Sequence, residues 1–582
     1  MTGSRTSPPG IPTPTDAAVA SAITAWVAAG SNAHPAGVVA AVVARVARRR
    51  ELDVDLVIDG RTVPPDPAAL AVEVDAGILD LGAWLPGFVR EALVSGVDRS
   101  SGGVHHTAPD VARAVVDAAT EIRPFRRGDT VLDPAVGGGA FLLAAVERMA
   151  GPPAERVAHL RGCDTDPLAV ATAVASLRLW GDGVAVAPNA FRVADGLDAR
   201  WDVPVDVVVG NPPFLSQLRG RAVRGDDRRA VLRERWPTVG GYVDDALLFL
   251  LSAAETIVDD GVVAMIQPAS CLASRDGESV RELVASAAPP VAVWLDGERR
   301  FAAAVDTVAL VLHPGASAGP VARSAGVPRR ALGSVTLRGA ASWAPLLARG
   351  VPELGDADIA VSGRLGDVAS STAGFRDQYY GLRGAVVDDP TGAVRLMTSG
   401  LIDPLVDRWG EIPCRFNRRR WQHPTVDVDA VDPGIQAWVA SRLRPKLLVA
   451  SQTKVIETVI DDDGTMLPCT PVIAVEPRDG APSLAHLAVV LTSPVATRLL
   501  LDHAAGTALS RDAMRITAAG LAELPLPADR AAWDDAAGMV EALGRRDRGV
   551  DIDGVAAACV TAYGVDDGAE LHNWWRSRRP AR

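Results

Sequence analysis

The chain has 582 residues, of which 48% are apolar and 22% charged, and its formal net charge is −12. This length exceeds one ordinary hydrophobic core and predicts a globular protein of two to four domains. No apolar stretch is long enough to cross a bilayer, so we expect no membrane association. Residues 1–15 are rich in Gly, Pro, Ser and Thr, which predicts a disordered tail rather than a signal peptide.

The cysteine and lysine content narrows the possible functions. The five cysteines are widely scattered and show no metal-ligand spacing, so we expect no metal centre and a reducing, cytoplasmic location. Nearly all basic residues are arginine, and the two lysines are Lys446 and Lys454. A P-loop needs a Gly-Lys pair, which the sequence lacks. The negative net charge argues against a uniformly basic nucleic-acid-binding surface but leaves room for a local basic cleft.

Four regions are predicted after the tail. Residues 16–100 show helical periodicity and predict a mainly helical N-terminal region. Residues 101–318 alternate strands with helices, which predicts an α/β domain with a seven-stranded, doubly wound parallel sheet. Residues 319–527 follow a Gly-, Ala-, Pro- and Ser-rich linker and predict a second, α+β domain, while residues 528–582 predict a helical tail. The seven predicted strands are 130–132, 157–163, 190–193, 205–209, 261–266, 291–295 and 308–312.

A glycine-rich loop follows the first predicted strand of the α/β domain. It runs from Asp133 to Phe141, and its glycines let the backbone approach a ligand closely. The loop lacks the G-x-G-x-x-G pattern of a dinucleotide site. An acid at the strand end suits a cationic amino group better than a diphosphate. The structural alternative is a βα turn that binds nothing.

Two further acids follow the next two strands. Asp164 comes at the position where an acid in a doubly wound sheet commonly binds ribose hydroxyls. Asp166-Pro167 predicts instead the N-cap and first residue of a helix. Asp195 follows the third strand and is placed to accept a hydrogen bond from an adenine amino group.

The fourth strand, 205–209, leads into Asn211-Pro212-Pro213-Phe214. Neither proline has an N–H group, so this backbone only accepts hydrogen bonds, and the Asn211 side chain adds a carbonyl acceptor. Phe214 adds a flat apolar face. Together these groups suit a planar ring with an exocyclic NH2; the structural alternative is a proline-terminated strand entering a loop. Because ligands bind at the carboxyl edge of such sheets, the three acids and this tetrapeptide are expected to converge there on S-adenosylmethionine.

The motifs in this order resemble the amino-methylating DNA methyltransferases. Residues 103–112 resemble the motif that precedes the glycine loop in that family, although this chain has His106-Thr107-Ala108 where the family has aromatic-Thr-Pro. A motif order that begins with this segment and ends in a C-terminal target-recognition domain resembles the gamma class, the TaqI-like enzymes. Short patterns further along extend the resemblance over residues 103–527. The cofactor-binding residues it implies are Thr107, Asp133, Pro134, Ala135, Val136, Gly137, Asp164, Asp195 and Pro213.

The resemblance also implies a reaction. A target adenine is flipped out of the DNA duplex, Asn211 and the Pro212 carbonyl hold its N6, and Phe214 stacks on the base. Pro213 belongs to the same implied catalytic motif. The amino nitrogen then attacks the methyl group directly, with no cysteine nucleophile. The implied context is restriction-modification or host defence, with double-stranded DNA and restriction or defence-system proteins as partners. The candidate DNA-binding residues are Arg219, Arg221, Arg224, Arg415, Arg418, Arg419, Arg420 and Trp421.

Two alternatives stay open at this point. RNA and protein-glutamine methyltransferases also use Asn-Pro-Pro-aromatic, although the long C-terminal half favours DNA. A non-catalytic DNA-binding subunit that keeps the fold is the second alternative, and the presence of both Asn211 and Asp195 argues against it.

Overall fold

The structure is a computed structural model that divides into two compact units, Met1–Ser342 and Trp343–Arg582. The residues that it describes are 17–29, 34–73, 76–94, 107–214, 226–240, 243–296, 306–317, 319–337, 339–348, 350–352, 354, 358–374, 376–504, 513–542, 551–566 and 568–579. The predicted tail at residues 1–15 lies outside these ranges.

The first unit combines helices with one large sheet. Its helices are α1 (Ala17–Ala29), α2 (Pro35–Arg49), α3 (Pro67–Ala71), α4 (Ala76–Leu79), α5 (Leu85–Val94), α6 (Pro109–Ile122), α7 (Ala140–Val146), α8 (Pro153–Ala158), α9 (Pro167–Trp180), α10 (Asp226–Arg235), α11 (Asp245–Thr256) and α12 (Glu278–Ala287). Its strands are β1 (Val57–Ile58), β2 (Arg61–Thr62), β3 (Val131–Asp133), β4 (Leu160–Asp164), β5 (Phe191–Val193), β6 (Val205–Gly210), β7 (Ile257–Pro268), β8 (Pro290–Leu295), β9 (Thr307–Leu312), β10 (Pro320–Ala325) and β11 (Arg330–Thr336).

The large sheet has nine strands rather than the seven predicted. Their order is β11-β10-β8-β9-β7-β6-β3-β4-β5. The sheet is mixed rather than parallel, because β9 runs antiparallel to both β7 and β8. The two added strands pair onto β8, with β10 parallel to it and β11 antiparallel to β10. The predicted boundary at residue 318 therefore falls inside the sheet, and the expected linker at 314–319 connects two of its strands.

One predicted strand began too early. The strand predicted from residue 157 starts at Leu160, because the preceding residues form α8. Pro153 stands at the first position of that helix and Glu155 lies in its first turn, both of which favour a helix over a strand.

Helices cover both faces of the sheet. Side chains that alternate along β6 and β7, among them Val207, Val209 and Ile266, share one hydrophobic cluster with residues of α6, α7 and α9. Gln267, the next residue along β7, points to the other face, where its Nε2 donates to the Ala246 carbonyl of α11 at 2.9 Å. The doubly wound arrangement expected from the sequence is therefore present in the described part of this unit.

The N-terminal helices share the core of the sheet. Buried residues of α2 and α5, such as Val39, Val43 and Phe88, lie in the same cluster as Val131 of β3. Arg50, just after α2, also donates to Asp182, just after α9, at 2.7 Å. The described helices α2 and α5 of the region predicted at residues 16–100 are thus packed into the core of the sheet unit.

The second unit is built from short strands and helices. Its strands are β12 (Val361–Arg364), β13 (Ala369–Ala373), β14 (Val386–Asp388), β15 (Arg395–Met397), β16 (Ile402–Asp403), β17 (Val406–Asp407), β18 (Cys414–Phe416), β19 (Arg419–Trp421), β20 (Pro424–Val426), β21 (Lys446–Val449), β22 (Gln452–Thr453), β23 (Thr458–Asp461), β24 (Met466–Pro468), β25 (Ile473–Pro477), β26 (Met514–Arg515) and β27 (Pro525–Pro527). Its helices are α13 (Leu365–Val368), α14 (Arg376–Gly381), α15 (Gln436–Arg442), α16 (Leu484–Thr492), α17 (Pro494–Ala504), α18 (Ala518–Ala522), α19 (Arg530–Glu541), α20 (Ile552–Ala562) and α21 (Gly568–Arg578).

Two four-stranded sheets organise the second unit, with orders β13-β25-β21-β23 and β14-β20-β15-β24. The C-terminal helices pack onto this unit rather than forming a separate tail. Trp533 of α19 donates its Nε1 to the His486 carbonyl of α16 at 3.0 Å, and the Tyr563 hydroxyl donates to Pro525 at 2.6 Å. Across the described ranges, no single helix is long and apolar enough to span a bilayer, and only the bent pair Leu484–Thr492 and Pro494–Asp502 meets that test together.

A fully buried ion pair joins β21 to β23 in the second unit. Lys446 and Asp461 are both inaccessible to solvent and contact each other directly. Asp461 also accepts hydrogen bonds from the backbone N–H groups of Thr465 and Met466, each at 3.0 Å. Burial lowers the pKa of Lys446, while the Asp461 carboxylate opposes that shift.

We predict that Lys446→Ala lowers the free energy of unfolding by about 3–5 kcal/mol, because it leaves a buried carboxylate without its countercharge. Urea unfolding of the full chain, followed by tryptophan fluorescence, measures this loss. Lys454→Ala is the control, because this other lysine is exposed. Equal unfolding curves for the two variants would contradict the prediction.

Candidate active site

The candidate site lies at the carboxyl ends of four neighbouring parallel strands. β3 pairs with β6 on one side and with β4 on the other, and β4 continues to β5. The chain order therefore reverses at β3, which is the kind of switch point where open α/β sheets bind ligands. Asp133, Asp164, Asp195 and Asn211 stand at or just after these four strand ends, as expected from the sequence.

Asp133 is the most buried of these residues, with 1% of its surface exposed. Its Oδ1 accepts a hydrogen bond from the Ala135 N–H at 3.0 Å. The same oxygen lies against the end of β6, since a Cβ added to Gly210 would come within 2.7 Å of it. Burial, with a smaller contribution from the charge of Asp164, raises the pKa of Asp133 to about 8. A cation beside this carboxyl group would favour its ionised form.

The glycine loop is held against Asp164. The Gly137 N–H donates to Asp164 Oδ2 at 3.0 Å, and Gly137 adopts a φ of 51°, which favours glycine. Asp164 Oδ1 accepts from the backbone N–H of Asp166, also at 3.0 Å. Each carboxylate oxygen keeps a second lone pair for a ligand hydroxyl group. Of the residues between Asp133 and Gly137, Pro134 and Val136 are buried and Ala135 is half-buried.

The helix start predicted after Asp164 is confirmed. Asp166 is the N-cap of α9, its Oδ1 accepts from the Leu168 N–H at 2.9 Å, and Pro167 occupies the first helical position. This local hydrogen bond assigns Asp166 to the helix cap and leaves Asp164 at the strand end.

Asp195 is fixed in a turn after β5. Its Oδ1 accepts from the Leu197 N–H at 3.1 Å, and the Ala194 N–H donates to the Asp164 carbonyl at 2.9 Å. Gly196 lies directly against the Pro134 carbonyl, with no room for a Cβ. The Asp195 turn and the glycine loop are therefore packed side by side.

Asn211 contacts the segment that precedes α6. Its Nδ2 donates to the Thr107 Oγ1 at 3.1 Å, and Thr107 is buried. The bond turns the amide nitrogen towards Thr107 and the amide oxygen away from it. Pro212 is buried, Pro213 is half-buried, and Phe214 is half-buried against the hydrophobic cluster of the sheet. Thr107, expected to contact the cofactor, thus also orients the candidate catalytic side chain.

The three strand-end carboxylates give this edge of the sheet a negative electrostatic potential, which affects the neighbouring Cys163. Burial raises the pKa of Cys163 to about 12, and the charges of Asp133, Asp164 and Asp195 contribute to that shift. The Cys163 thiol, which donates to the Pro134 carbonyl at 3.4 Å, therefore stays protonated and is no nucleophile. A ligand with a positive charge fits this edge of the sheet better than an anion.

The predicted DNA-binding arginines of the second unit lie on a hairpin. β18 and β19 are joined by the two-residue turn Asn417-Arg418, with φ values of 48° and 64°. Arg415, Arg418, Arg419 and Arg420 are all exposed, and none of them forms a salt bridge within the described part of the chain. Trp421 is half-buried and donates its Nε1 to the Phe416 carbonyl at 3.1 Å, which fixes it to the hairpin. Arg219, Arg221 and Arg224 lie outside the described residues.

A cavity of about 360 Å³ lies at the base of this hairpin. Arg415 and Phe416 form one side of it, and Tyr379, Ser399 and Thr470 lie among its other lining residues. The Tyr379 hydroxyl accepts from the Asn417 N–H at 3.2 Å, so the cavity wall supports the turn.

Sequence reasoning missed the contribution of α5 to the site. Gly87 touches Gly138 of the glycine loop, and Arg90 forms an ion pair with Asp166. In the sequence, these residues show only a glycine followed three residues later by an arginine on a short apolar helix. That pattern does not predict contacts with Gly138 or Asp166.

Comparison with known proteins supports the methyltransferase resemblance. Residues 92–287 match the family model described as N-6 DNA Methylase. The type I restriction enzyme MjaIX methylase subunit of Methanocaldococcus jannaschii is 28% identical over 137 residues, which is 23% of this chain and 23% of that relative. The matched segment is therefore less than a quarter of the curated relative.

Two solved structures share the fold over most of the chain. One is MmeI, a type IIL restriction-modification enzyme in complex with DNA, with a TM-score of 0.54 and 13% identity over 89% of this chain and 82% of that one. The other is a DrdV–DNA complex, with a TM-score of 0.50 and 12% identity over 82% of this chain and 61% of that one. At these identities the likeness concerns the fold, whereas the family match places the N-6 DNA methylase similarity at residues 92–287.

The raised pKa of Asp133 predicts a specific pH dependence of stability. The folded carboxyl group stays protonated up to about pH 8, whereas in the unfolded chain it ionises near pH 4. The unfolded state therefore binds fewer protons over this window, and stability falls as the pH rises from 4 to 8. Asp133→Asn removes the titration and keeps an acceptor for the Ala135 N–H group. We expect a smaller decline in melting temperature between pH 5.5 and 8 for the variant than for the parent chain; equal declines would contradict the assignment.

Proposed function

We propose that this chain is an S-adenosylmethionine-dependent DNA methyltransferase that modifies N6 of adenine in a restriction-modification system. The observation that carries the proposal is the placement of Asn211-Pro212-Pro213-Phe214 at a strand end, held by Thr107 and beside three strand-end carboxylates. The family match over residues 92–287 supports the same chemistry.

The described residues fit S-adenosylmethionine. The buried carboxyl group of Asp133 suits its ammonium group, Asp164 suits the ribose hydroxyls, and Asp195 suits the adenine amino group. The backbone of Pro134, Ala135, Val136 and Gly137 forms the loop along which the cofactor would lie. The cofactor supplies a methyl group on a sulfonium sulfur, whose positive charge the acidic edge of the sheet favours.

The tetrapeptide is suited to hold an adenine amino group. The Asn211 amide oxygen and the Pro212 carbonyl are proposed to accept one hydrogen each of the N6 amino group, because a carbonyl oxygen is a hydrogen-bond acceptor. Phe214 stacks on the ring, and Pro213 keeps the backbone fixed. The amino nitrogen is thereby held with its lone pair in line with the methyl carbon, and this positioning supplies much of the acceleration. The target base must leave the duplex to reach this pocket.

The second unit is proposed to bind double-stranded DNA through the β18–β19 hairpin. Its exposed arginines form no salt bridge among the described residues, and their clustering on a two-stranded ribbon suits phosphate and base-edge contacts. The proposed target-recognition region is C-terminal in sequence to the catalytic motifs, which is the motif order that the resemblance to the TaqI-like gamma class implies. Restriction or defence-system proteins are the proposed partners, and the cytoplasm is the proposed location.

The central experiment measures tritium-labelled methyl transfer from S-adenosylmethionine to DNA, RNA and protein, with mapping of any modified adenines. We expect Asn211→Ala to lower transfer to DNA by at least about 100-fold, because a group that positions the attacking nitrogen is removed. Cofactor binding is expected to change little, since the strand-end acids remain. Asn573→Ala, at an exposed position of α21, is the control.

Each outcome of this assay favours one candidate function. Transfer to RNA or protein, but not to DNA, would favour the alternative substrates. An absence of transfer to all three by the parent chain would favour a non-catalytic DNA-binding subunit. Unchanged transfer by Asn211→Ala would overturn the proposed mechanism.

For the hairpin we predict that removing two arginines weakens DNA binding but does not lower folding stability. Arg415 and Arg420 face each other directly across the two strands. We expect the double substitution Arg415→Ala/Arg420→Ala to weaken DNA binding and to reduce the slope of log affinity against log salt by about 1 for each phosphate that the arginines no longer neutralise. Folding stability is expected to stay the same or rise, because like charges opposite each other are destabilising.

Fluorescence anisotropy with duplex DNA at several salt concentrations measures the slope, and thermal unfolding measures stability. Arg364→Ala is the matched control, because this exposed arginine of the same unit is already paired with Glu523. An unchanged slope of log affinity against log salt in the double variant would show that the hairpin arginines do not bind DNA, and would contradict the proposal.

A further inference from the structure

Helix α5 is in direct backbone contact with the glycine loop. A Cβ added to Gly138 would come within 2.6 Å of the Gly87 Cα, and one added to Gly87 would come within 3.1 Å of the Gly138 carbonyl oxygen. Side chains at either position would push the two segments apart. The absence of side chains at both positions therefore lets a helix from the N-terminal region lie on the loop that follows β3.

Arg90 lies on the same face of α5, because it follows Gly87 by three residues. It is buried, with 3% of its surface exposed, and its Nη2 lies 2.5 Å from Asp166 Oδ2. Glu91 Oε2 forms a second, longer ion pair with its Nη1 at 3.6 Å. Burying a guanidinium group is costly unless it is paired, and of these two carboxylates Asp166 is the one within hydrogen-bonding distance of Arg90.

Asp166 connects Arg90 to the proposed cofactor-binding residues through three successive hydrogen bonds. One oxygen of its carboxylate caps α9, and the other contacts Arg90. Its backbone N–H donates to Asp164 Oδ1, and the opposite oxygen of Asp164 accepts from the Gly137 N–H. The ion pair is therefore connected both to Asp164, the proposed ribose-binding residue, and to Gly137 of the glycine loop.

We propose that Arg90 is a positioning residue for cofactor binding, which makes α5 a functional part of the cofactor site. It acts by holding Asp166, and through Asp166 the Asp164 carboxylate and the Gly137 amide, in the geometry that the cofactor needs. This inference rests on the proposed use of S-adenosylmethionine. It assigns a role to residues 85–94, in which the sequence alone shows no chemistry.

Titration calorimetry of the full chain with S-adenosylmethionine tests the inference. We expect Arg90→Gln to weaken cofactor binding about 10-fold, as for the removal of a charge-assisted hydrogen bond behind a binding loop. Asp166→Asn is expected to have a similar effect, because asparagine still caps α9 but no longer pairs with the guanidinium. The double variant should be little worse than either single one, because both remove the same interaction.

A matched control separates positioning from general stability. Arg123 and Asp129 form an ion pair near the amino end of β3, at the edge of the sheet opposite the site. Its arginine is as buried as Arg90, and its carboxylate is more buried than Asp166. Arg123→Gln is expected to lower the melting temperature without changing cofactor affinity. In methyl-transfer assays, Arg90→Gln should raise the KM for S-adenosylmethionine and leave the KM for DNA and kcat nearly unchanged. Arg90→Lys keeps the charge and should restore part of the affinity.

The outcomes distinguish this inference from the function on which it rests. If the parent chain binds no S-adenosylmethionine, the proposed function fails. If the parent chain binds and Arg90→Gln binds equally well, the role of Arg90 is overturned while the proposed function stands. If Arg90→Gln does not fold, Asp166→Asn decides the matter, because it removes the same ion pair and keeps the α9 cap. Unchanged cofactor affinity in this folded variant would also overturn the role.

Discussion

The interaction on which the site depends is the hydrogen bonding of strand-end carboxylates by backbone N–H groups. Asp133, Asp164 and Asp195 accept from Ala135, Gly137 and Leu197 respectively, and each bond lies between 3.0 and 3.1 Å. Burial is the main reason that the pKa of Asp133 is raised, and the repulsion between neighbouring carboxylates adds to it through Asp164. Backbone donors hold the three groups in place without supplying a countercharge, so a sulfonium or ammonium group at this edge would favour the ionised carboxylates.

Close backbone approach is the second condition for this geometry. Gly138 touches Gly87, Gly196 touches the Pro134 carbonyl, and Gly210 touches the Asp133 carboxylate. Each of these glycines brings a different segment onto the loop after β3, and a larger residue at any of them would force the segments apart. The same small residues that bring the acids together therefore also bring α5 onto the loop, which is why an N-terminal helix contributes to a site formed by the sheet.

The features that the sequence predicted well depend on local patterns. The ends of β3 to β6 follow from short apolar runs closed by Asp or Gly, and the N-cap role of Asp166 follows from Asp-Pro at a helix start. The features that it missed depend on long-range pairing. The pairing of β10 with β8 places residues 320–325 in the first sheet, although a Gly- and Pro-rich segment suggested a domain boundary. The bond from Asn211 to Thr107 spans 104 residues, and no local pattern encodes it.

The β18–β19 hairpin shows why the average charge of the chain misleads about its partners. Arg418 adopts a φ of 64°, at a turn position where glycine is the favoured residue, and such a conformation costs a side-chain-bearing residue roughly 1 kcal/mol. Arg415 and Arg420 lie directly opposite each other, which adds like-charge repulsion. Both features make the isolated hairpin less stable than a neutral hairpin with Asn-Gly at its turn. A polyanion bound along the hairpin would offset the repulsion between these arginines and would also interact with Arg418 at the turn. The local instability is therefore consistent with a DNA-binding surface on a chain whose net charge is −12.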